Sequence, residues 1–185
     1  PSKAAYAIMK EAAAAKQVLA DNAVNGQGLP TSGTQVLMNG INEMGGLPTR
    51  NHRDVQFEDA RKISAEAMRE KRPTDGKAQL VTNAACFGCT IACGRISKMD
   101  ESHFTVQNKP QYWGASGGLA YEAAWALGAA NGVNDLAALQ YANQLCNEDG
   151  IDPISFGATI GAPSELYEMG VLPTATAATE PQSRP

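Results

Sequence analysis

The sequence has few aromatic side chains, few histidines and no excess of positive charge. Aromatic residues make up 6% of its 185 positions, there are two histidines, and 15 Lys and Arg stand against 19 Asp and Glu. A net charge of −4 provides no basic footprint for nucleic acid and no polybasic patch for a membrane surface. The roughly 18 consecutive apolar residues of a membrane-spanning helix are also missing. We therefore expect neither a nucleic-acid partner nor a membrane partner.

The N-terminus lacks the charged and apolar regions of a signal peptide. Its first residue is Pro1 rather than Met, so we expect a chain that starts after processing or inside a longer protein. With 43% hydrophobic residues, the chain is long enough to bury one core or two small ones.

Cysteine is also scarce, but three of the four cysteines are crowded together. Cys86, Cys89 and Cys93 have the spacing C-x2-C-x3-C. Such spacings return the sulfurs toward one face of a short, turn-rich helical segment, so that three thiolates converge on one inorganic centre. Small and apolar neighbours offer the dry shell that tunes the potential of such a centre. The segment is interpreted as three ligands of an iron–sulfur cluster.

Two other interpretations of these cysteines remain open. A structural zinc site normally has two ligand pairs, whereas this chain has one tight group of cysteines, with His52 and His103 isolated from it. A secreted disulfide framework does not crowd three cysteines into eight positions, and unpaired thiols favour a reducing compartment, most simply the cytoplasm. The fourth cysteine, Cys146, lies in an apolar helical pattern and is predicted to be a buried core thiol. The fourth cluster ligand is then missing from this chain.

Periodicity predicts a mainly α fold with little or no strand. An opening helix over residues 2–23 has Ser2 as its N-cap, and Asp135 caps a later helix. The best strand candidate covers residues 78–82. Predicted helices follow at 34–44, 57–71, 119–130, 135–146 and 153–169. Residues 173–185 lack large apolar side chains and are predicted to be a disordered tail.

Several segments together resemble the aldehyde ferredoxin oxidoreductase family, whose members oxidise aldehydes to carboxylic acids at a tungsten- or molybdenum-pterin centre. The segments occur in family order over residues 30–172. They are Leu47–Asn51, Cys86–Arg95, Tyr121–Gly128, Gly132–Leu136 and Ala142–Gly157. The resemblance covers only the first part of the family's helical C-terminal region.

The resemblance implies a role for seven residues. Cys86, Cys89 and Cys93 would hold a [4Fe–4S] cluster whose fourth ligand comes from a later part of the full-length protein. Asp152 matches an aspartate that hydrogen-bonds the pterin, although it is equally suited to cap a helix. Asn147 stands where the family's pterin motif has aspartate, and its amide still donates and accepts hydrogen bonds. Two further assignments complete the set: Glu122 as the proton-moving carboxylate near the metal, and Arg50 as a ligand near a phosphate or the cluster edge. A solvated loop charge is the alternative interpretation of Arg50.

The sequence departs from the family at Ala120, where an acidic residue is common, and at Ile151 within the pterin motif. The resemblance implies a cluster- and pterin-contacting region over residues 1–172 within an aldehyde oxidoreductase that passes electrons to ferredoxin or a partner subunit. We expect the isolated chain to be inactive. Two alternatives remain open: an iron–sulfur electron-transfer module without pterin chemistry, and a catalytically silent structural fragment.

Overall fold

The computed structural model describes residues 2–172, and the predicted disordered tail at 173–185 lies outside them. Helices predominate, which confirms the mainly α prediction. The helices are α1 (Lys3–Asp21), α2 (Leu29–Ser32), α3 (Leu37–Glu43), α4 (Ala65–Arg69), α5 (Tyr121–Leu127), α6 (Leu136–Glu148) and α7 (Pro153–Glu168). None of the helices within residues 2–172 combines the length and apolar character needed to cross a membrane.

Helices α1, α6 and α7 begin directly after the residues that the sequence predicts as their N-caps. Ser2 Oγ accepts the Ala5 N–H at 3.2 Å at the start of α1. Asp135 accepts two backbone N–H groups at the start of α6, and Asp152 does the same for α7. Each cap satisfies N–H groups that have no partner inside the helix, which explains why these three starts were predictable.

The predicted helix at 57–71 is wrong over most of its length. The structure has a 3-10 turn at Ala60–Ile63 and then the five-residue α4. Ser64 interrupts the helix because its backbone is extended, and its hydroxyl accepts the Ala67 N–H to begin α4. The helix predicted at 119–130 is likewise shortened to α5, which ends where Gly128 leaves the helical conformation.

The sheet has three short strands, β1 (Leu80–Ala84), β2 (Gly94–Ser97) and β3 (Ser116–Gly117). Both neighbouring pairs are antiparallel, with β2 in the centre. Only β1 was indicated by the sequence, two residues earlier than it occurs. Strands of four and two residues carry almost no periodicity, so long-range pairing decides them.

The core lies between α3, the segment around Phe57 and the helices α5 and α6. Its members share nearly complete burial: Met38, Leu47, Phe57, Ala60, Ile63, Leu119, Ala123, Ala124, Leu127, Ala129 and Leu139. By contrast, α1 has no buried residue.

Candidate functional site

The three clustered cysteines lie on the loop that connects β1 to β2. Residues 85–93 contain no helix, which corrects the expectation of a helical segment. The loop turns at Phe87 and Gly88, where Gly88 has a φ of +71°. Antiparallel pairing of Ala84 with Gly94 closes the base of the loop. All three thiols are free and exposed, so their side chains are accessible to a ligand.

The donor set fits an iron–sulfur cluster in its chemistry. The Ile91 N–H donates to Cys89 Sγ at 3.3 Å, a contact of the type that tunes cluster potentials. Hydrogen bonds from the backbone of Ala92 and Ile91 lower the pKa of Cys89. Within residues 2–172, no three His, Cys, Asp or Glu side chains stand together as a formed metal site. The loop therefore presents three thiols of the right type that a bound cluster would have to gather.

Cys146 has the opposite environment. It is 3% exposed within α6, and burial raises the pKa of its thiol. This confirms the prediction of a buried core thiol. A neutral thiol in the core is a poor metal ligand, because the thiolate is the form that binds metal.

Contacts at Gly33 and Thr34 connect the cysteine loop to the start of α5. A side chain at Gly33 would meet the carbonyl oxygen of Cys93 at 2.7 Å. The next residue, Thr34, accepts the Tyr121 N–H through its hydroxyl at 2.9 Å. Glu122 follows in the first turn of α5. The end of the cysteine loop and Glu122 are thus held against the same short segment.

Glu122 is partly buried, and its carboxylate forms no ion pair or side-chain hydrogen bond within residues 2–172. Helices α5 and α7 pack in the same direction, since Gly157 lies against Ala126 and Gly161 against Ala130. Glu122 and Asp152 therefore lie at the same end of this helix pair, each N-terminal to the contact between Gly157 and Ala126.

Asp152 caps α7 and retains capacity to bind a ligand. Its two oxygens accept the N–H groups of Ile154 and Ser155 and the Ser155 hydroxyl. The Ser155 hydroxyl, followed by the backbone N–H groups, lowers the pKa of Asp152. An ionised carboxylate has about four acceptor positions, so one remains for an N–H group of a ligand. Capping and ligand binding are compatible at this residue.

Asn147 is exposed in the last turn of α6, beside β3. An added side chain at Gly117 would meet its Nδ2 at 4.0 Å. Its amide makes no side-chain hydrogen bond within the described residues 2–172. Ser116, Gly117, Gln144, Asn147 and Glu148 line a cleft of about 230 Å³ at this position. Asn147 therefore lies beside the end of β3, from which the chain continues into α5 and Glu122.

Arg50 is placed elsewhere. Its backbone N–H donates to the Ala129 carbonyl at 2.9 Å, just beyond the C-terminal end of α5, whereas Glu122 lies at the other end. Its guanidinium pairs with Asp54 and Glu58. The Glu58 hydrogen bond is the main cause that raises the pKa of Arg50. The structure does not bring Arg50 to the cysteine loop, and its proposed contact with a phosphate or cluster stays a prediction.

Arg95 ends the segment Cys86–Arg95 and has no role predicted from the sequence. Its side chain is 6% exposed in β2, and its Nη2 has no hydrogen-bond partner within residues 2–172. The signal available in the sequence was its position two residues after Cys93. The sequence does not show that this charged side chain is buried, and burial is the property that sets Arg95 apart from a surface arginine.

Comparison with known proteins decides the family of this chain. Residues 10–181 match the family described as aldehyde ferredoxin oxidoreductase, domains 2 and 3. The chain belongs to the aldehyde ferredoxin oxidoreductase family. It is 44% identical over 154 residues to the tungsten-containing aldehyde ferredoxin oxidoreductase of Thermococcus kodakarensis, which covers 83% of this chain. It is 41% identical over 152 residues to the protein of the same name from Pyrococcus furiosus, covering 82% of the chain.

The match covers only 22% of the length of each of these relatives. This member of the aldehyde ferredoxin oxidoreductase family therefore spans about a fifth of the length of these relatives. All seven residues singled out from the sequence lie inside the matched range.

Proposed function

We propose that this chain is the cluster-binding and pterin-contacting part of a tungsten- or molybdenum-pterin aldehyde oxidoreductase. Family membership supports this proposal, and the observation that carries it is the group of three free, exposed thiols on the β1–β2 loop. Cys86, Cys89 and Cys93 would bind a [4Fe–4S] cluster, with the fourth ligand provided from outside this chain. The four free thiols also support a reducing, cytoplasmic location.

Oxidation of an aldehyde, with water as the source of the added oxygen, yields a carboxylic acid, two protons and two electrons that an acceptor must take up. The metal–pterin centre, when bound, would supply the two-electron acceptor, and Cys86, Cys89 and Cys93 would hold the cluster that supplies one-electron transfer to ferredoxin or a partner subunit. The Glu122 carboxylate would accept a released proton, since it is unpaired within residues 2–172 and follows Tyr121, whose N–H donates to Thr34 beside Gly33 and the end of the cysteine loop. Asp152 and Asn147 hold the pterin by hydrogen bonds. Remaining parts of the same enzyme enclose the aldehyde.

Metal analysis of the parent protein, purified without oxygen, tests the proposal. We expect about four iron and four acid-labile sulfide per chain, together with tungsten or molybdenum and aldehyde-dependent reduction of ferredoxin. Replacing Cys86, Cys89 or Cys93 by serine should abolish the iron. Cys146→Ala is the matched control, because it removes a thiol from the core rather than from the loop.

The outcomes separate the three readings. Iron and sulfide without tungsten or molybdenum would favour an electron-transfer module. A parent protein without iron, or iron that survives the loop substitutions, would reject the cluster assignment and leave a structural role.

A further inference from the structure

Arg95 is a buried cation without a carboxylate partner. Its Nη1 donates to the Oδ1 of Asn83, the residue directly opposite on β1. Nη2 forms no hydrogen bond, and no acidic group lies within ion-pair distance among residues 2–172. A guanidinium keeps its proton in proteins and so does not escape the cost of burial by becoming neutral. A charge in this situation requires an anion.

Two glycines make the space that Arg95 occupies. A side chain at Gly33 would lie 2.7 Å from both Nε and Nη2 of Arg95, and a side chain at Gly118 would lie 2.5 Å from its Cβ. Gly33 has a φ of +58°, a conformation that suits glycine. The guanidinium therefore lies in a recess that exists because neither glycine has a side chain.

The recess adjoins the cysteine loop. A side chain at Gly33 would also lie 2.7 Å from the carbonyl oxygen of Cys93. The guanidinium and the end of the loop therefore both pack against Gly33. Two charged groups act on Arg95: Arg69, which is also cationic, and the thiolate form of Cys93, which favours the guanidinium charge. Among residues 2–172, the counter-charge available to Arg95 is therefore a cysteine of the loop and not a carboxylate.

We propose that Arg95 is the fixed counter-charge of the iron–sulfur cluster on Cys86, Cys89 and Cys93, and that it raises the reduction potential of that cluster. The inference rests on the proposed function only in that a cluster must bind. Reduction adds one electron, drawn from aldehyde oxidation, and changes no bond or proton on Arg95. A nearby cation stabilises the more negative, reduced cluster. Arg95 is accordingly a positioning residue for charge and not a catalytic residue.

The test is a redox titration of the cluster, followed by electron paramagnetic resonance, in the full-length enzyme. Arg95→Gln removes the charge. It should lower the equilibrium constant for reduction of the cluster about tenfold, which for one electron is a shift of ~59 mV to lower potential. Arg95→Lys keeps the charge and should shift the potential less. Arg53→Gln is the control, since it removes a cation that pairs with Glu168, away from the cysteine loop.

Asn83→Asp provides an independent variant if Arg95→Gln fails to fold or loses iron. It keeps the arginine but gives Nη1 a carboxylate, so the potential should again fall. Unchanged potentials in Arg95→Gln and Asn83→Asp, with iron retained, would overturn the inference and leave the proposed function intact. Absence of iron and sulfide in the unsubstituted enzyme would overturn both.

Discussion

Asp152 caps α7 and is also the residue proposed to bind the pterin. Its oxygens bind the first N–H groups of α7, which fixes the carboxylate at the helix start. A carboxylate fixed in this way would also keep its remaining acceptor position available to a bound pterin. Substitutions that separate capping from charge can therefore distinguish the two roles.

Asp152→Asn keeps an efficient capping residue, whereas Asp152→Ala removes both the cap and the carboxylate. We expect Asp152→Asn to retain the thermal stability of the unsubstituted enzyme and both variants to retain less pterin. Pterin and tungsten content per chain, measured with the thermal midpoint, check this. Unchanged metal and pterin content in both variants would remove Asp152 from the pterin site.

The thiols should differ in reactivity in the metal-free chain. Cys86, Cys89 and Cys93 are exposed, and only the thiolate form reacts with iodoacetamide. We expect Cys89 to react first because backbone hydrogen bonds lower its pKa, and Cys146 to react at least about tenfold more slowly because it is buried. Mass spectrometry of timed alkylation measures the order. Early modification of Cys146 would show that α6 opens readily.

At the scale of elements, the site depends on the close approach of α5 and α7. Gly157 allows this approach, since a side chain there would lie 2.4 Å from the Ala126 carbonyl oxygen. Asn131 fastens the pair by donating to the carbonyls of Ala126 and Gly157. The relative position of Glu122 and Asp152 follows from this contact.

Gly157→Ala should destabilise the chain by about 1–3 kcal/mol, because the added methyl group would overlap the backbone of Ala126, which cannot turn aside as a flexible side chain can. Gly40→Ala is the matched control in α3, where nothing lies within 4 Å of an added side chain. It should stabilise by about 0.5–1 kcal/mol. Urea unfolding midpoints of the two variants test the contrast, and equal midpoints would contradict the tight α5–α7 contact.

The turn before β1 carries a pH-sensitive ion pair. The Arg72 guanidinium donates to both oxygens of Asp75. These hydrogen bonds, followed by one from the Lys77 backbone N–H, lower the pKa of Asp75 from 3.8 to about 2. A lowered pKa stabilises the turn above the unfolded value of 3.8, and this contribution disappears as the pH falls through about 2. Arg72→Gln should raise the pKa of Asp75 toward 3.8, while Arg69→Gln should not. Carboxyl chemical shifts against pH measure both, and an unmoved pKa in Arg72→Gln would reject the assignment.

At the scale of the whole molecule, α1 has a surface that the rest of the described chain does not cover. Tyr6, Ile8, Met9 and Val18 are each about 70% exposed, although the helix repeats apolar residues at helical spacing. The chain spans about a fifth of the length of its relatives. Such a surface is typical of a segment that packs against other parts of a protein.

The 185-residue chain alone should therefore self-associate. Replacing Ile8 and Val18 by lysine should reduce the association, because charged side chains oppose burial of this face. Replacing the polar pair Lys10 and Gln17 by alanine serves as the control. Light scattering over a range of concentrations measures the mass, and a stable monomer with a sharp thermal transition would contradict the prediction.

The helices at the two ends of the chain could be predicted because local chemistry determines them. Ser2, Asp135 and Asp152 cap helices whose N–H groups would otherwise lack partners, and these interactions span three residues or fewer. The middle of the chain was less predictable. Ser64 divided an apparently continuous helix, and β2 and β3 exist only because distant segments pair with each other.

The sequence by itself determined the cysteine spacing, the family and the types of side chain available for the site, since these are properties of residue order. Only the tertiary structure decided which residues meet. It joined Cys93 to the start of α5 through Gly33 and Thr34, paired Arg50 with Asp54 and Glu58 at the opposite end of that helix, and buried Arg95 beside the cysteine loop. Burial and pairing depend on contacts between residues far apart along the chain, and spacing alone carries no information about them.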